Sequence, residues 1–521
     1  MKLKNHWAVL WLLPAVFVVG HLGFVHARGP FYLAIHYDPD YVYLFNALNV
    51  ATLAAPDHVD HPGIPLHILG AALLRLLHVA SSQEQLCAEV LARAEWHLSV
   101  LNGTVVTIYL ACLVGLPWLV WRKTGDLAAA LVLQASPFCL GSHFEVLGRF
   151  NPEPVLVVIC LLLTALLYLY SLGALDRLGI GTALLFGAIA ATGLASKVTF
   201  LPVLIVPLLC LESWRERGVY LVTAYGCWEL WLLPAAPHYG RLHAWLFSLA
   251  TRQGRYGSGE TGMLPTDYWA NLMGLILDNG FLSAIIILSL ASLAYDRWGL
   301  EAPRTPPLRR LRRLLGGVVL AQLGQFLLVA KSPQARYLVP AVALCGLNAL
   351  ANMGLIRSWR GSVGQWLQTR SVALTLAVAV GCFLSLRLGQ HYLDFRADRD
   401  EHRQVAKALA LQDKDQPVVY FYGSSSPTYA LSFGNAFAGD RYSGILRDIV
   451  GHGPTQPYFL NPWTGQFLTL DGPVDFGLVD RPAHPFLWMG TTEDASGTFS
   501  FLPPERKPQP IFRCGNEAIY R

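Results

Sequence analysis

Charged residues are scarce in this chain. Asp, Glu, Lys and Arg make up 14% of its 521 residues, whereas a soluble domain carries about 25%. This scarcity, together with a hydrophobic content of 54%, excludes an ordinary soluble protein. The net charge of +5 is small and gives no indication of nucleic-acid binding. Apolar stretches close to the roughly 20 residues that span a bilayer core recur along most of the chain. The sequence therefore predicts an α-helical polytopic membrane protein.

Two other kinds of pattern are missing. No convincing internal repeat of the sort found in many transporters is present. The nine cysteines form no framework, because most fall inside apolar stretches, where cysteine behaves as a small apolar residue. Only Cys87 and Cys514 lie clearly outside those stretches, and the sequence leaves open whether they pair.

Eleven apolar stretches are interpreted as transmembrane helices. The first stretch follows Lys2 and Lys4, as the apolar core of a signal peptide would. It is long for such a core, so we expect an uncleaved transmembrane helix. Residues 63–80 are apolar but carry prolines, histidines and an arginine, so we predict an interfacial or re-entrant helix there. The predicted spans are 6–25, 99–121, 126–142, 152–172, 180–195, 199–211, 219–234, 270–295, 314–330, 335–356 and 371–390.

The distribution of Lys and Arg orients these helices. With the N-terminus in the cytoplasm, most loop Lys and Arg fall in short cytoplasmic loops, as the positive-inside rule requires. The loops 26–98 and 235–269 then lie outside, as does everything after residue 391. We predict a transmembrane domain over 1–391, with interfacial helices in loop 26–98, and a small extracytoplasmic α/β domain over 392–521.

The C-terminal part has one clear local pattern. The segment QPVVYFYGSSSPTYALSFGN predicts a buried strand, a Gly-Ser turn and a helix. Either Ser425 or Ser426 would cap that helix, with Pro427 at its first position.

A chain of this composition, with no evident retention signal, favours a bacterial inner membrane over the endoplasmic reticulum.

The first outer loop begins with two acids in the stretch IHYDPDYVYLF. Asp38 and Pro39 form a good helix start, with Asp as N-cap and Pro at the first helical position. Asn46 and Asn49 share one face of that helix, which predicts an amphipathic helix in the membrane interface. Capping explains Asp38 but leaves Asp40 unexplained. The apolar face would consist of Tyr41, Leu44, Phe45 and Leu48.

The stretch APDHVDHPGIPLH that follows is rich in His and Asp. Its spacing matches no zinc pattern, although His and carboxylate together suit divalent metals. A polar loop and a substrate contact by His61 or His58 are the alternatives.

Further acids and cations fall on the same predicted face of the membrane. Each has an ordinary explanation: an acid near a helix start favours the helix dipole, and a lysine snorkels to the interface. Together they suit another task, because acids can act as a base and cations can hold a phosphate. That combination fits transfer of a group from a lipid phosphate. The residues are Glu145, Glu153, Lys197, Arg252, Arg255, Lys331 and Arg336.

These motifs resemble those of the GT-C superfamily of membrane glycosyltransferases. IHYDPDYVYLF is similar to the first-loop motif of oligosaccharyltransferase catalytic subunits and to the Asp-Glu motif of the protein O-mannosyltransferase and lipid A aminoarabinose transferase group. HPGIPLHILGAAL, FNPEPVLVVICLLLTALLYLY, GLASKVTFLP and KSPQARYLVPA resemble later segments in the same order. The resemblance covers about residues 30–390. Asp-Pro-Asp stands in place of Asp-Glu, and the second loop has no clear Asp-x-Asp motif.

The resemblance implies an inverting glycosyltransferase. Its donor would be a polyprenyl-phosphate-linked sugar, and its acceptor a glycan, a lipid or a protein. No cofactor is certain, and a divalent metal such as Mg or Mn, held by Asp38 and Glu153, is left open. The expected catalytic residues are Asp38, Asp40 and Glu153. The expected donor-phosphate ligands are Lys331, Arg336, Arg252, Arg255 and Lys197. The expected substrate contacts are Tyr43, His61, Glu145 and Tyr337.

Two other functions remain open from the residues alone. A transporter or flippase for lipid-linked glycans would explain the spans and the charges near the membrane, but it would favour internal repeats. A non-catalytic subunit of an envelope assembly complex would explain the outer domain but not the grouping of acids with cations.

Overall fold

A computed structural model describes most of the chain, in ranges separated by short gaps. The described residues are 6–33, 40–59, 63–298, 305–358, 390, 392–412, 416–421, 423–450, 457–460, 466–475, 486–492, 499 and 507–521. Within them the structure is predominantly helical, with one sheet near the C-terminus. The predicted span 371–390 lies outside the described residues, apart from residue 390.

Helices cover the predicted apolar stretches within the described residues, but others lie in the predicted loops, and the predicted span 270–295 is divided between two helices. Several helices have short 3₁₀ turns at their ends. In the first half they are α1 Leu12–Arg28, α2 Asp40–Ala51, α3 Ile64–Leu77, α4 Gln83–Ala92, α5 Ala94–Thr124, α6 Leu127–Ala135, α7 His143–Leu147, α8 Pro152–Ser171, α9 Ile180–Ser196, α10 Ile205–Cys210 and α11 Trp214–Leu232. They continue with α12 Tyr239–Thr251, α13 Tyr268–Asp278, α14 Gly280–Trp298, α15 Pro306–Val329, α16 Val339–Ala343 and α17 Cys345–Ser358.

Six described helical segments are long and apolar enough to cross a membrane. The predicted spans 126–142, 180–195 and 199–211 coincide with shorter apolar helices. The chain is therefore an integral membrane protein, but these helices do not establish a count of eleven spans. The six segments are Ala8–Arg28, Ala94–Thr124, Pro152–Ser171, Gly280–Arg297, Pro306–Val329 and Ala335–Ser358.

Helix α8 lies at the centre of the bundle. Seventeen of its 20 residues are buried, because α5, α9, α15, α16 and α17 pack around it. A helix that is apolar on every face belongs in such a core, where no side need meet solvent. Its first turn contains Glu153, so that carboxylate lies at one end of the bundle core.

In loop 26–98, helices α2 and α3 differ in how much of their surface is exposed. Helix α3 begins within a residue of the predicted interfacial helix, and several of its last side chains are exposed. Helix α2, however, is buried on both faces, whereas an amphipathic interfacial helix would leave its polar face exposed. Helix α3 packs against it, and the C-terminal part of the chain contacts its polar face. Asn46 and Asn49 therefore face protein, and the predicted helix start at Asp38 lies outside the described residues.

The C-terminal part contains α/β structure, as predicted. A helix over residues 392–410 (α18) leads into strand β1, and the next helix begins at Pro427 with Ser426 as its N-cap, so the predicted strand, turn and capped helix are confirmed. The helices here are α19 Pro427–Ala436 and α20 Ser443–Val450. The strands are β1 Val418–Tyr420, β2 Tyr458–Leu460, β3 Phe467–Thr469, β4 Gly472–Val474, β5 Leu487–Thr491, β6 Pro510–Cys514 and β7 Glu517–Tyr520.

The strands form one mixed sheet. The described strands lie in the order β4-β3-β2-β1-β5-β7-β6, and β1 runs parallel to both β2 and β5. Residues of this sheet and of α19 and α20 share one hydrophobic core with α2 to α5. The C-terminal part therefore packs directly on loop 26–98. Cys87 and Cys514 are both free thiols, so they do not pair.

Candidate active site

A buried ion pair joins the start of α8 to the end of α9. Pro152 occupies the first position of α8, and Glu153 follows it in the first turn. Lys197 directly follows α9 and donates from Nζ to Glu153 Oε1. Glu153 is 2% exposed and Lys197 0%. Charges this deeply buried require a partner, because the desolvation of an ion costs several kcal/mol (order of magnitude).

The aromatic ring of Tyr337 extends this pair. Lys197 Nζ lies 4.9 Å from the ring centroid and the Arg336 guanidinium carbon 5.1 Å from it, both over the ring. A ring face attracts cations through its quadrupole. The Tyr337 hydroxyl also donates to the Tyr256 hydroxyl at 3.1 Å. The predicted motifs around Lys197 and Arg336 thus meet at one tyrosine.

The short loop between α15 and α16 is held against α12. Lys331 Nζ donates to the Leu249 carbonyl at 2.5 Å, and burial lowers the pKa of Lys331. Gln334 orients Arg336 by accepting from its Nε at 2.8 Å, and donates to Tyr256 at 3.2 Å. The segment after α12 and this loop therefore form one surface beside the ion pair.

Arg252 and Arg255, in the glycine-rich loop that follows α12, are less fully defined. Arg252 follows α12, and its backbone pairs with Thr261 in an antiparallel bridge. The side chain of Arg255 lies outside the described part of the chain. Both belong to the segment that carries Tyr256, so the chain brings them to the region of Arg336.

Gly63 holds loop 26–98 against the same region. Its N–H donates to the Ser196 carbonyl at 3.2 Å, next to Lys197, and its φ is +54°. A Cβ there would lie 3.0 Å from the Tyr43 ring and 3.2 Å from Pro152, so a larger residue would have to displace one of them. Tyr43 is thereby brought beside the first turn of α8.

Asp40 is bound to the segment just before α8. Its carboxylate accepts from the backbone N–H of Phe150 and, at 3.2 Å, from Arg149 Nη1. Asp40 is 1% exposed, and these contacts occupy both of its oxygens. Such an arrangement suits a residue that positions the start of α8, which leads to Glu153.

Two further charged residues support this region, and no sequence pattern singles them out. Glu95 accepts from the backbone N–H groups of Phe31 and Tyr32 at 2.8 and 3.1 Å, and from the Tyr41 hydroxyl at 2.9 Å. Arg28 donates to the Gly148 carbonyl. Both residues lie at the ends of apolar helices, where charged residues are expected and do not by themselves indicate a functional site. Arg28 is distinguished from other helix-end arginines by its burial, which depends on packing and cannot be read from the sequence.

The structure does not join every predicted residue to this group. Glu145 lies on α7, half exposed, with no partner for its carboxylate among the described residues. Asp38 and His61 lie outside the described residues. In the described ranges no three His, Cys, Asp or Glu residues come together as metal ligands. The second oxygen of Glu153, Oε2, is buried without a hydrogen-bond partner from the described part of the chain.

Comparison with known proteins identifies a solved structure that shares the fold. No protein-family model and no curated protein matches the chain. Among solved structures, ArnT from Cupriavidus metallidurans in the apo state matches with a TM-score of 0.50 and 13% identity, over 100% of this chain and 98% of that one. The chain has the fold of ArnT. The crystal structure of ArnT bound to undecaprenyl phosphate aligns with a TM-score of 0.49 and 12% identity, covering 99% and 98% of the two chains.

The match to ArnT confirms the GT-C resemblance at the level of the fold. It also extends that resemblance, because the sequence motifs reach only about residue 390, whereas the alignment to ArnT covers the entire chain. The C-terminal α/β part thus belongs to the shared fold.

Proposed function

We propose that this protein is a glycosyltransferase that moves a sugar from a polyprenyl-phosphate carrier to a glycan, lipid or protein acceptor. The observation that carries the proposal is the buried pair of Glu153 and Lys197 beside Tyr337. Ionisable residues within membrane helices are costly and mark functional sites by default. The ArnT fold supports the same assignment.

The reaction assigns one task to each acid. The acceptor oxygen forms a bond to the anomeric carbon while the bond from that carbon to the phosphate oxygen breaks, with inversion. Asp38 orients the acceptor hydroxyl and takes its proton, a contribution of about 10²–10⁴-fold. Glu153 presents its second oxygen to the substrate, and Asp40 positions the start of α8. Should a divalent metal take part, Asp38 and Glu153 would hold it.

The departing lipid phosphate takes the electron pair and needs cations. Lys331 and Arg336 supply them, joined by Arg252 and Arg255 from the neighbouring glycine-rich segment. Fixed charges aimed at a developing anion stabilise the transition state at no cost of reorganisation. Lys197 is already paired with Glu153, so we assign it to balance that carboxylate. Tyr43, Tyr337, His61 and Glu145 stay proposed substrate contacts.

The proposed location follows the Lys and Arg distribution. The N-terminus would lie in the cytoplasm of a bacterium, and the site and residues 392–521 in the periplasm. Protease accessibility of residues after 391 in right-side-out and inverted vesicles tests this orientation.

Purified protein incubated with radiolabelled sugars on undecaprenyl phosphate tests the activity, and ArnT's own complex makes that carrier the first choice. We expect release of sugar to water or to added acceptor. Glu153→Gln should abolish most of it. Asp126→Asn is the matched control, because it weakens another ion pair, to Arg357, at a distance from the site. Lipid translocation without bond cleavage would instead identify a flippase, and neither activity a non-catalytic subunit.

A further inference from the structure

The side chain of Asn46 forms a fully satisfied junction inside the protein. Its Oδ1 accepts from the backbone N–H groups of Asp57 and His58 at 2.8 and 3.1 Å. Its Nδ2 donates to the carbonyls of Val42 and Phe437 at 2.8 and 3.0 Å. An amide has two donor hydrogens and one acceptor oxygen with two lone pairs, so every bond that Asn46 can make is made. Asn46 is 0% exposed.

This junction connects two distant parts of the chain. Asp57 and His58 lie in the loop that leads, through residues 60–62, to Gly63 at the candidate site. Phe437 closes helix α19 in the C-terminal part. The His58 ring packs edge-on against Phe437, with 5.4 Å between centroids, and against Tyr43 with 5.8 Å. One side chain thus holds the loop of Asp57 and His58 to both α2 and the C-terminal part.

A second amide one turn further along repeats part of this pattern. Asn49 Nδ2 donates to the carbonyls of Ala55 and Ala438, each at 3.3 Å, and its Oδ1 accepts from the Tyr442 hydroxyl at 2.7 Å. Asn49 therefore helps fix the C-terminal part onto α2. Of these two asparagines, Asn46 is the one that binds two backbone N–H groups of the loop.

We propose that Asn46 is a positioning residue through which the C-terminal part of the chain aligns the loop of Asp57 and His58, and with it Gly63 at the candidate site, for substrate. The inference deepens the proposed function and rests on it. It assigns the domain a part in the reaction, because the carbonyl of Phe437 is one of the four groups that fix the amide. A substitution that removed the amide oxygen would leave backbone N–H groups of the loop unpaired. One that removed the NH₂ group would leave the carbonyl at the end of α19 unpaired.

Asn46→Asp is the sharpest variant. This variant keeps the shape of the side chain and its acceptor oxygen. A second oxygen replaces the NH₂ group and faces the carbonyls of Val42 and Phe437. Phe437→Ala is a second, milder variant that loosens the domain side and leaves Asn46 intact. Tyr442→Phe is the matched control, because it removes one buried hydrogen bond between the same helix and the same domain without touching Asp57 or His58.

Hydrogen exchange of the full-length protein in detergent is measured first, on peptides covering residues 54–59. We expect faster exchange at the Asp57 and His58 amides in Asn46→Asp and, to a smaller extent, in Phe437→Ala, with the control unchanged. Turnover of sugar from undecaprenyl phosphate should show a higher KM for the acceptor and a drop of about 10–100-fold in kcat/KM, in line with a buried polar group left unpaired.

Unchanged exchange at residues 54–59 in both variants would overturn the proposal, and so would faster exchange with unaltered kcat/KM. Equal effects in Tyr442→Phe would also overturn it, because they would reduce Asn46 to general docking of the domain. If wild-type protein shows no turnover, the proposed function fails separately, and the exchange rates still decide whether Asn46 holds the loop.

Discussion

Lys197 and Glu153 form a buried ion pair although 44 positions separate them in the chain. Both side chains lie where helices α8 and α9 reach the same end of the bundle. Each would be an uncompensated charge without the other, so the two must be treated as one unit.

The ion pair of Lys197 and Glu153 leads to a prediction about stability. Lys197→Met should lower the free energy of unfolding by about 3–5 kcal/mol, because it leaves the Glu153 carboxylate buried and unpaired. The double variant Lys197→Met with Glu153→Gln should recover much of that loss while remaining inactive. Thermal unfolding in detergent checks both. A single variant as stable as wild type would contradict the pairing.

The neighbouring acids Asp38 and Asp40 should separate in their effects. Asp38→Asn is expected to abolish most turnover, by about 10²–10⁴-fold, and to leave expression and unfolding unchanged. Asp40→Asn should lower the unfolding midpoint as well, because the charge that faces Arg149 is lost from a buried position. Near wild-type activity in Asp38→Asn would refute its assignment as base.

Gly63 should tolerate no side chain. Gly63→Ala places a Cβ 3.0 Å from the Tyr43 ring at a φ of +54°, so both packing and backbone oppose it. We expect a loss of more than about 1 kcal/mol in stability and a clear drop in turnover. Gly103→Ala is the control, since nothing lies within 4 Å of its Cβ in helix α5. Equal behaviour of the two variants would argue against a close approach at Gly63.

The C-terminal part of the chain should lose stability in mildly alkaline solution. Burial alone would lower the pKa of His402, but hydrogen bonds to Asp398 and Glu517 outweigh it and raise the pKa to about 9. A raised pKa means that the protonated form stabilises the fold. Its contribution, about 3 kcal/mol, is fully present below pH 6.5 and is lost as pH rises through about 9.

Hydrogen exchange in strands β5 to β7 between pH 6 and pH 10, corrected for the intrinsic rate, measures this loss. His402→Gln should lower the stability at pH 6 and remove most of the pH dependence. A variant whose pH dependence matches wild type would assign the titration to another group.

Local features of this protein could be predicted from the sequence because each depends on one segment. The lengths of apolar runs indicate membrane helices, and the Ser-Pro pair at residues 426 and 427 marks the start of α19. The order of short motifs indicated the fold that ArnT shares. Among the site residues, Glu153, Lys197 and Tyr337 could be named, and the structure places them in contact.

Only the tertiary structure decided which groups meet. Asp40 binds the N–H of Phe150, 110 positions away, and Asn46 binds the carbonyl of Phe437, 391 positions away. Helix α2 was predicted to lie in the membrane interface because its polar face matches that environment. A polar face is satisfied equally by water, headgroups or protein carbonyls, and the pattern of one helix cannot distinguish them. The sequence determined the segments and their chemistry; the packing of distant segments decided the partners.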